Sequence, residues 1–94
     1  MISKRAQNQI FRIAEYIGEE TLQGAQSWLR SIFKAIEKIE NNPSIGHIYE
    51  PKPAYKRYNV KSYFILFQAK KDKNGKSYAE IKLVWHQKRM YPKL

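Results

Sequence analysis

The sequence predicts an α+β fold in which an N-terminal antiparallel helical hairpin packs on one face of a small, mainly antiparallel β-sheet of three or four strands. Two observations carry this. Apolar residues before Pro43 recur every three or four positions, as a helix face requires, whereas those after it come in short runs or alternation. An Asn74-Gly75 pair, inside the charged stretch Lys70 to Lys76, then marks a hairpin turn between two of those later runs.

Taken in order, Ser3 is a suitable N-cap, and Ala6, Ile10, Ile13, Ala14 and Ile17 fall on one face of a first helix that Gly18 is expected to stop. A second helix begins near Thr21. Its stripe is Leu22, Ala25, Leu29, Ile32, Ile36 and Ile39, flanked by Trp28 and Phe33, and Asn41-Asn42-Pro43 ends it. The segment Ser44 to Pro53 reads as an irregular connection with a short edge strand at His47 to Tyr49. Tyr55 to Val60 alternates like a strand with two different faces. Tyr63-Phe64-Ile65-Leu66-Phe67 reads as a central strand, covered on one side and partly screened on the other. In the last strand Ala79, Ile81, Leu83 and Trp85 are expected to face the helices, with Tyr78, Glu80, Lys82, Val84 and His86 on the opposite side. The tail, Gln87 to Leu94, is polar and basic.

Length and composition narrow the function. Ninety-four residues suit one domain spanning 1–94. Eighteen Lys and Arg against eight Asp and Glu give a formal charge of +10, which favours a polyanionic partner: nucleic acid, an anionic membrane or an acidic protein. The absence of cysteine excludes disulfides, thiolate nucleophiles and sulfur metal sites. Neither a signal-peptide core nor a membrane-length apolar run is present, so a cytoplasmic protein is expected. Nine of the thirteen aromatic residues follow residue 48, which argues against a membrane-surface helix, since that would gather its aromatics on itself.

At the level of whole-chain pattern the sequence resembles the RelE/ParE toxin family. The resemblance rests on Ala6, Ile13 and Tyr16-Ile17 in the first helix, the turn Asn42-Pro43-Ser44-Ile45-Gly46, the strand Tyr63 to Phe67, and the ending Leu83-Val84-Trp85-His86-Gln87-Lys88-Arg89 with Pro92. It implies a small α+β fold and a cognate antitoxin that wraps the toxin, giving a hetero-oligomer. It also implies one of two activities: ribosome-dependent cleavage of mRNA, or action on DNA gyrase without cutting nucleic acid. The family pattern usually places a strand before the first helix. Here Met1 and Ile2 supply at most a vestige of it, leaving either a sheet one strand short at an edge or a chain that starts elsewhere.

Metal-free RNA cleavage needs a base for the 2′-hydroxyl, cations for the phosphate and an acid for the leaving oxygen. The catalytic candidates, on that reading, are His86, Arg89 and Tyr91, which by resemblance hold the places of the basic, His and Tyr residues of ribonucleolytic relatives. Arg57, Lys61, Lys82 and Arg89 are the candidates for target or phosphate contact, and alternation puts His86 and Lys82 together on the face away from the helices, with Arg57 joining from a neighbouring strand. Against these stand plainer roles: a solvated His at a strand end, an Arg paired across the sheet, and a Tyr ring covering the sheet's end. Glu80 is expected to neutralise Lys82. Arg30, Lys34 and Lys38 form a same-sign row suited to an acidic partner or simply to solvent. Phosphate loops, catalytic triads and metal-ligand clusters are missing from the sequence, so no metal and no cofactor is expected.

Three functions fit this reading. The long helical hairpin favours a ParE-like growth inhibitor with a gyrase-type target. The ending His86, Arg89, Tyr91 favours a RelE-like endonuclease acting on mRNA at the ribosome. A non-toxic basic nucleic-acid-binding module comes third, because no base-stacking motif is present.

Overall fold

The structure, a computed structural model of the chain, describes residues 1–90, 92 and 94. Its order is α1 (Lys4–Glu20), α2 (Leu22–Asn41), β1 (His47–Ile48), β2 (Lys56–Val60), β3 (Tyr63–Lys71) and β4 (Ser77–His86). Ser3 caps α1 by accepting the Ala6 N–H at 3.1 Å, satisfying one of the free donors of the first turn. Ala6 and Ile10 are buried, and Ile13, Ala14 and Ile17 pack against the same core.

Gly18 does not end this helix. Its backbone stays helical, and the stop comes three residues later at Thr21, whose extended backbone sends its N–H to the Ile17 carbonyl at 3.0 Å. The same Thr21 opens α2, its hydroxyl accepting from Gly24 N–H at 3.2 Å. A single residue therefore joins the two helices. In α2 the buried row is Ala25, Trp28, Ile32, Ala35, Ile36 and Ile39. Trp28, expected at the margin, is in the core because Tyr63 meets it edge on at 5.3 Å. Leu22, expected in the stripe, is the first residue of α2 and stays exposed, as does Phe33. The Asn42 N–H bonds to the Lys38 carbonyl and Pro43 follows, closing α2 where the sequence indicated.

The four strands form an antiparallel meander in the order β1-β2-β3-β4. Two residues, Lys61 and Ser62, turn β2 into β3, with Lys61 at φ 55. Asp72 organises the β3–β4 turn, where its carboxylate accepts the N–H groups of Asn74 and Lys76 at 2.9 and 3.0 Å and Gly75 adopts φ 79. α1 and α2 cover one face, burying Ile65, Phe67, Ala79, Ile81 and Val84 against Ile10, Ile32, Ile36 and Ile39. Each of the Ile, Val and Phe side chains among them contributes about 1.5–3 kcal/mol on leaving water. The other face carries a smaller cluster of Tyr49, Phe64, Leu66 and Leu83, onto which Tyr55, Trp85 and Leu94 pack.

A β-bulge changes the reading of β4. Leu66 pairs with Leu83 but Phe67 pairs with Ile81, so Lys82 is an extra residue with no partner across the ladder. Before the bulge Ala79 and Ile81 face the helices, and after it Val84 does, while Leu83 and Trp85 join the opposite cluster. Unbroken alternation therefore fails at Lys82, and every side chain beyond it changes face. His86 consequently lies on the helix side, the reverse of the sequence expectation.

The outer edge of β4 is closed by the N-terminus. Ile2 forms a single parallel bridge with Ile81, with Ser3 N–H to Ile81 O at 2.9 Å and Ile81 N–H to Met1 O at 2.8 Å. The Ser3 hydroxyl donates to Lys82 O at 3.0 Å, and Gln9 Oε1 accepts from Val84 N–H at 2.9 Å. A bridge and two side chains of the N-terminal segment thus do the capping that a longer first strand would do.

Candidate functional site

Between α1 and the end of β4 lies an open cleft of about 730 Å³, lined by Gln9, Arg12, Ile13, Tyr16, Tyr63, Val84, Trp85, His86 and Arg89. It exists because of the bulge. Val84 and His86 turn toward α1, and α1 presents Gln9, Arg12 and Tyr16 at three- and four-residue spacing beside its apolar stripe.

The polar groups of this cleft are mostly donors. His86 Nδ1 accepts the Lys88 N–H at 3.1 Å, so the neutral ring carries its proton on Nε2. Gln9 has committed its oxygen to Val84, which leaves its amide hydrogens free. Among the described residues neither Arg12 nor Arg89 pairs with a carboxylate. The Tyr63 phenol is held above the ordinary tyrosine value, first by burial and then by Tyr16, with Arg89 pulling the other way.

Contacts with the tail shape the rim. Trp85 Nε1 donates to Met90 O at 2.7 Å, and the Arg89 guanidinium lies 5.4 Å from the Trp85 ring. Gln87 ties the tail to the β2–β3 turn, donating to Lys61 O at 3.0 Å and from its backbone to Ser62 O at 2.9 Å. Arg89 thus both lines the cleft and lies over the Trp85 ring.

Of the candidates read from the sequence, His86 and Arg89 share this cleft, and Tyr91 lies outside the described residues. Arg57 does not converge with them. Its guanidinium stacks 4.0 Å from the centre of the Phe64 ring, on the face away from the helices, and its Nε donates to Asn59 Oδ1 at 2.8 Å. Lys61 is exposed in the β2–β3 turn. Lys82 does not share a face with His86, because it occupies the bulge and pairs with Glu80. Glu80 takes both Lys82 and Lys70, the latter at 3.0 Å, and these bonds hold its carboxyl below the usual carboxylate value. The expected neutralisation of Lys82 by Glu80 is therefore present. Arg30, Lys34 and Lys38 are exposed along α2. Among the described residues, no three His, Asp or Glu side chains gather as a metal site would require.

Sequence reasoning missed Gln9, Arg12, Tyr16 and Tyr63. The first three were visible as a polar and aromatic row beside the stripe of α1. Only the bulge brings that row opposite His86.

Compared with known families, residues 1–91 match the one described as the ParE toxin of the type II toxin-antitoxin system, parDE. The chain belongs to the ParE toxin family. The resemblance carried by the sequence is borne out, and a ParE-family toxin works within a type II pair, so an antitoxin partner follows. A comparison with curated proteins gave no match. Among the described residues, no helix of this ParE-family chain is long and apolar enough to cross a membrane.

Proposed function

We propose that this chain, one toxin domain over its 94 residues, arrests growth in the cytoplasm by binding a DNA gyrase-type target, and that a cognate acidic antitoxin neutralises it. The division of the candidate nuclease groups carries this reading. Arg57 stacks on Phe64 on one face of the sheet while His86 and Arg89 line a cleft on the other. The His86 lone pair that a general base would use is already engaged by the Lys88 N–H. A +10 surface with exposed Phe11, Leu22 and Phe33 suits an acidic, amphipathic antitoxin segment. A RelE-like endonuclease is the second reading, favoured by the shared cleft of His86 and Arg89, with His86 as the acid in its doubly protonated form, which gives up the Nδ1 bond from Lys88 N–H.

The test is induced expression in a bacterial host, with growth, transcript integrity and chromosome supercoiling followed in one culture. Growth arrest with intact transcripts and disturbed supercoiling is expected, and His86→Ala is expected to arrest growth nearly as well. Cleaved transcripts with normal supercoiling, abolished by His86→Ala, would replace this reading with the endonuclease.

A further inference from the structure

We propose that the cleft between α1 and β4 binds a nucleoside monophosphate unit, with its phosphate between Arg12 and Arg89 and its base against the ring of Tyr16. The proposal concerns the isolated chain and does not depend on which target the toxin attacks.

The chemistry of the walls selects the ligand. Gln9, Arg12, His86 and Arg89 all offer hydrogens, and the acceptors of Gln9 and His86 are already used by Val84 and Lys88. Such a set suits a group made of acceptor oxygens. Two guanidinium groups fit a dianionic phosphate, whose three terminal oxygens take paired N–H donors, better than a single carboxylate, which one guanidinium satisfies. Each Arg also lacks a carboxylate partner among the described residues, so binding would not have to break an ion pair.

The aromatic lining selects what the phosphate is attached to. Tyr16 is 70% exposed on α1, and its ring is free to cover a planar group entering the cleft. Trp85 borders the Arg89 end of the cleft, its ring packed on the other face of the sheet and fixed by its bond to Met90 O. An exposed tyrosine ring of this kind stacks a base without regard to sequence. Tyr63 and His86, locked ring to ring at 4.9 Å, form the floor. At about 730 Å³ the space lies within the range that accommodates small ligands and far exceeds a lone phosphate.

The purified full chain is titrated with AMP, adenosine and inorganic phosphate, reading heat and the Trp85 indole N–H resonance. AMP is expected to shift that resonance and to bind more tightly than either fragment. Arg12→Gln and Arg89→Gln should each weaken AMP about tenfold or more, as loss of a charged hydrogen-bonding group does. Lys34→Gln, the same charge change on the exposed face of α2, should alter binding less than twofold. Equal weakening by all three variants would reduce the effect to the general +10 field and overturn the site. Inorganic phosphate binding as well as AMP would overturn the base contact, and no response to AMP would overturn the whole proposal. A 5′-phosphorylated oligonucleotide that matches AMP only when its terminal phosphate is present would identify a strand end as the source of the nucleotide. Binding by AMP alone would identify the free nucleotide.

Discussion

Tyr63 and His86 face each other at the last pair of the β3–β4 ladder, and their rings meet edge to face with centres 4.9 Å apart. Tyr63 also meets Trp28 edge on, so one side chain links the buried core to the floor of the cleft. Tyr63→Ala is expected to cost about 2–4 kcal/mol through lost burial and ring contacts, and Tyr63→Phe less than about 1 kcal/mol. Urea unfolding followed by tryptophan fluorescence measures both, and equal stabilities would remove Tyr63 from this linking role.

Gly46 and Gly75 both adopt positive φ, at 86° and 79°, yet their surroundings differ. A Cβ on Gly46 would sit 2.8 Å from the Arg57 carbonyl oxygen, which is backbone and cannot easily move, whereas one on Gly75 meets nothing within 4 Å. Gly75→Ala should cost about 1 kcal/mol, the conformational penalty alone. Gly46→Ala should exceed it by at least about 1 kcal/mol. Thermal melts of the two variants side by side decide the ranking.

Gln9 reaches from α1 to cap an edge amide of β4. Removing its oxygen in Gln9→Ala leaves the Val84 N–H without its acceptor, at a cost of about 1–3 kcal/mol. Gln9→Glu keeps an acceptor in place. Amide hydrogen exchange at Val84 should therefore accelerate in the first variant and stay slow in the second.

The pairing of Glu80 with Lys82 and Lys70 sets a direction for pH dependence. The Glu80 carboxyl is lowered from 4.5, chiefly by its bond to Lys82 and then to Lys70, so its contribution is present above about 4.5 and fades as pH falls through the lower, folded value. Lys70 is raised from 10.5 by its bond to Glu80, so its share persists below about 10.5 and fades as pH rises through the raised value. Wild type should thus lose more stability than Glu80→Gln on acidification below about 4.5, by a small margin because Lys70 is at the surface. Denaturant midpoints measured from pH 3 to 6 test this, and parallel curves would count against it.

Much of this architecture was legible because local chemistry and periodicity agree. Ser3, Thr21 and Pro43 bracket the helices, and Asn74-Gly75 sits in the last turn, as their residue types require. Gly18 misled because a glycine permits a helix stop without enforcing one, while Thr21 enforces it by capping the next helix. The bulge left no mark. Leu83, Val84, Trp85 and His86 supply apolar or aromatic groups to both faces, and the sheet is covered on both, so alternation loses its power to tell one face from the other. That single ambiguity misplaced His86 and Lys82. With His86 on the helix side, Arg57, which stacks on Phe64 across the sheet, could not join it.

The joint at Thr21 has a consequence for how this chain tolerates changes in length. One added or deleted residue there would rotate α2 by about 100° about its own axis and carry Ile32, Ile36 and Ile39 away from the sheet. The hairpin is geared to the strands with no slack. Inserted residues, an epitope or a labelling handle for instance, belong instead at Asp72 to Lys76, where the turn is solvent-exposed throughout and no helix takes its phase from it.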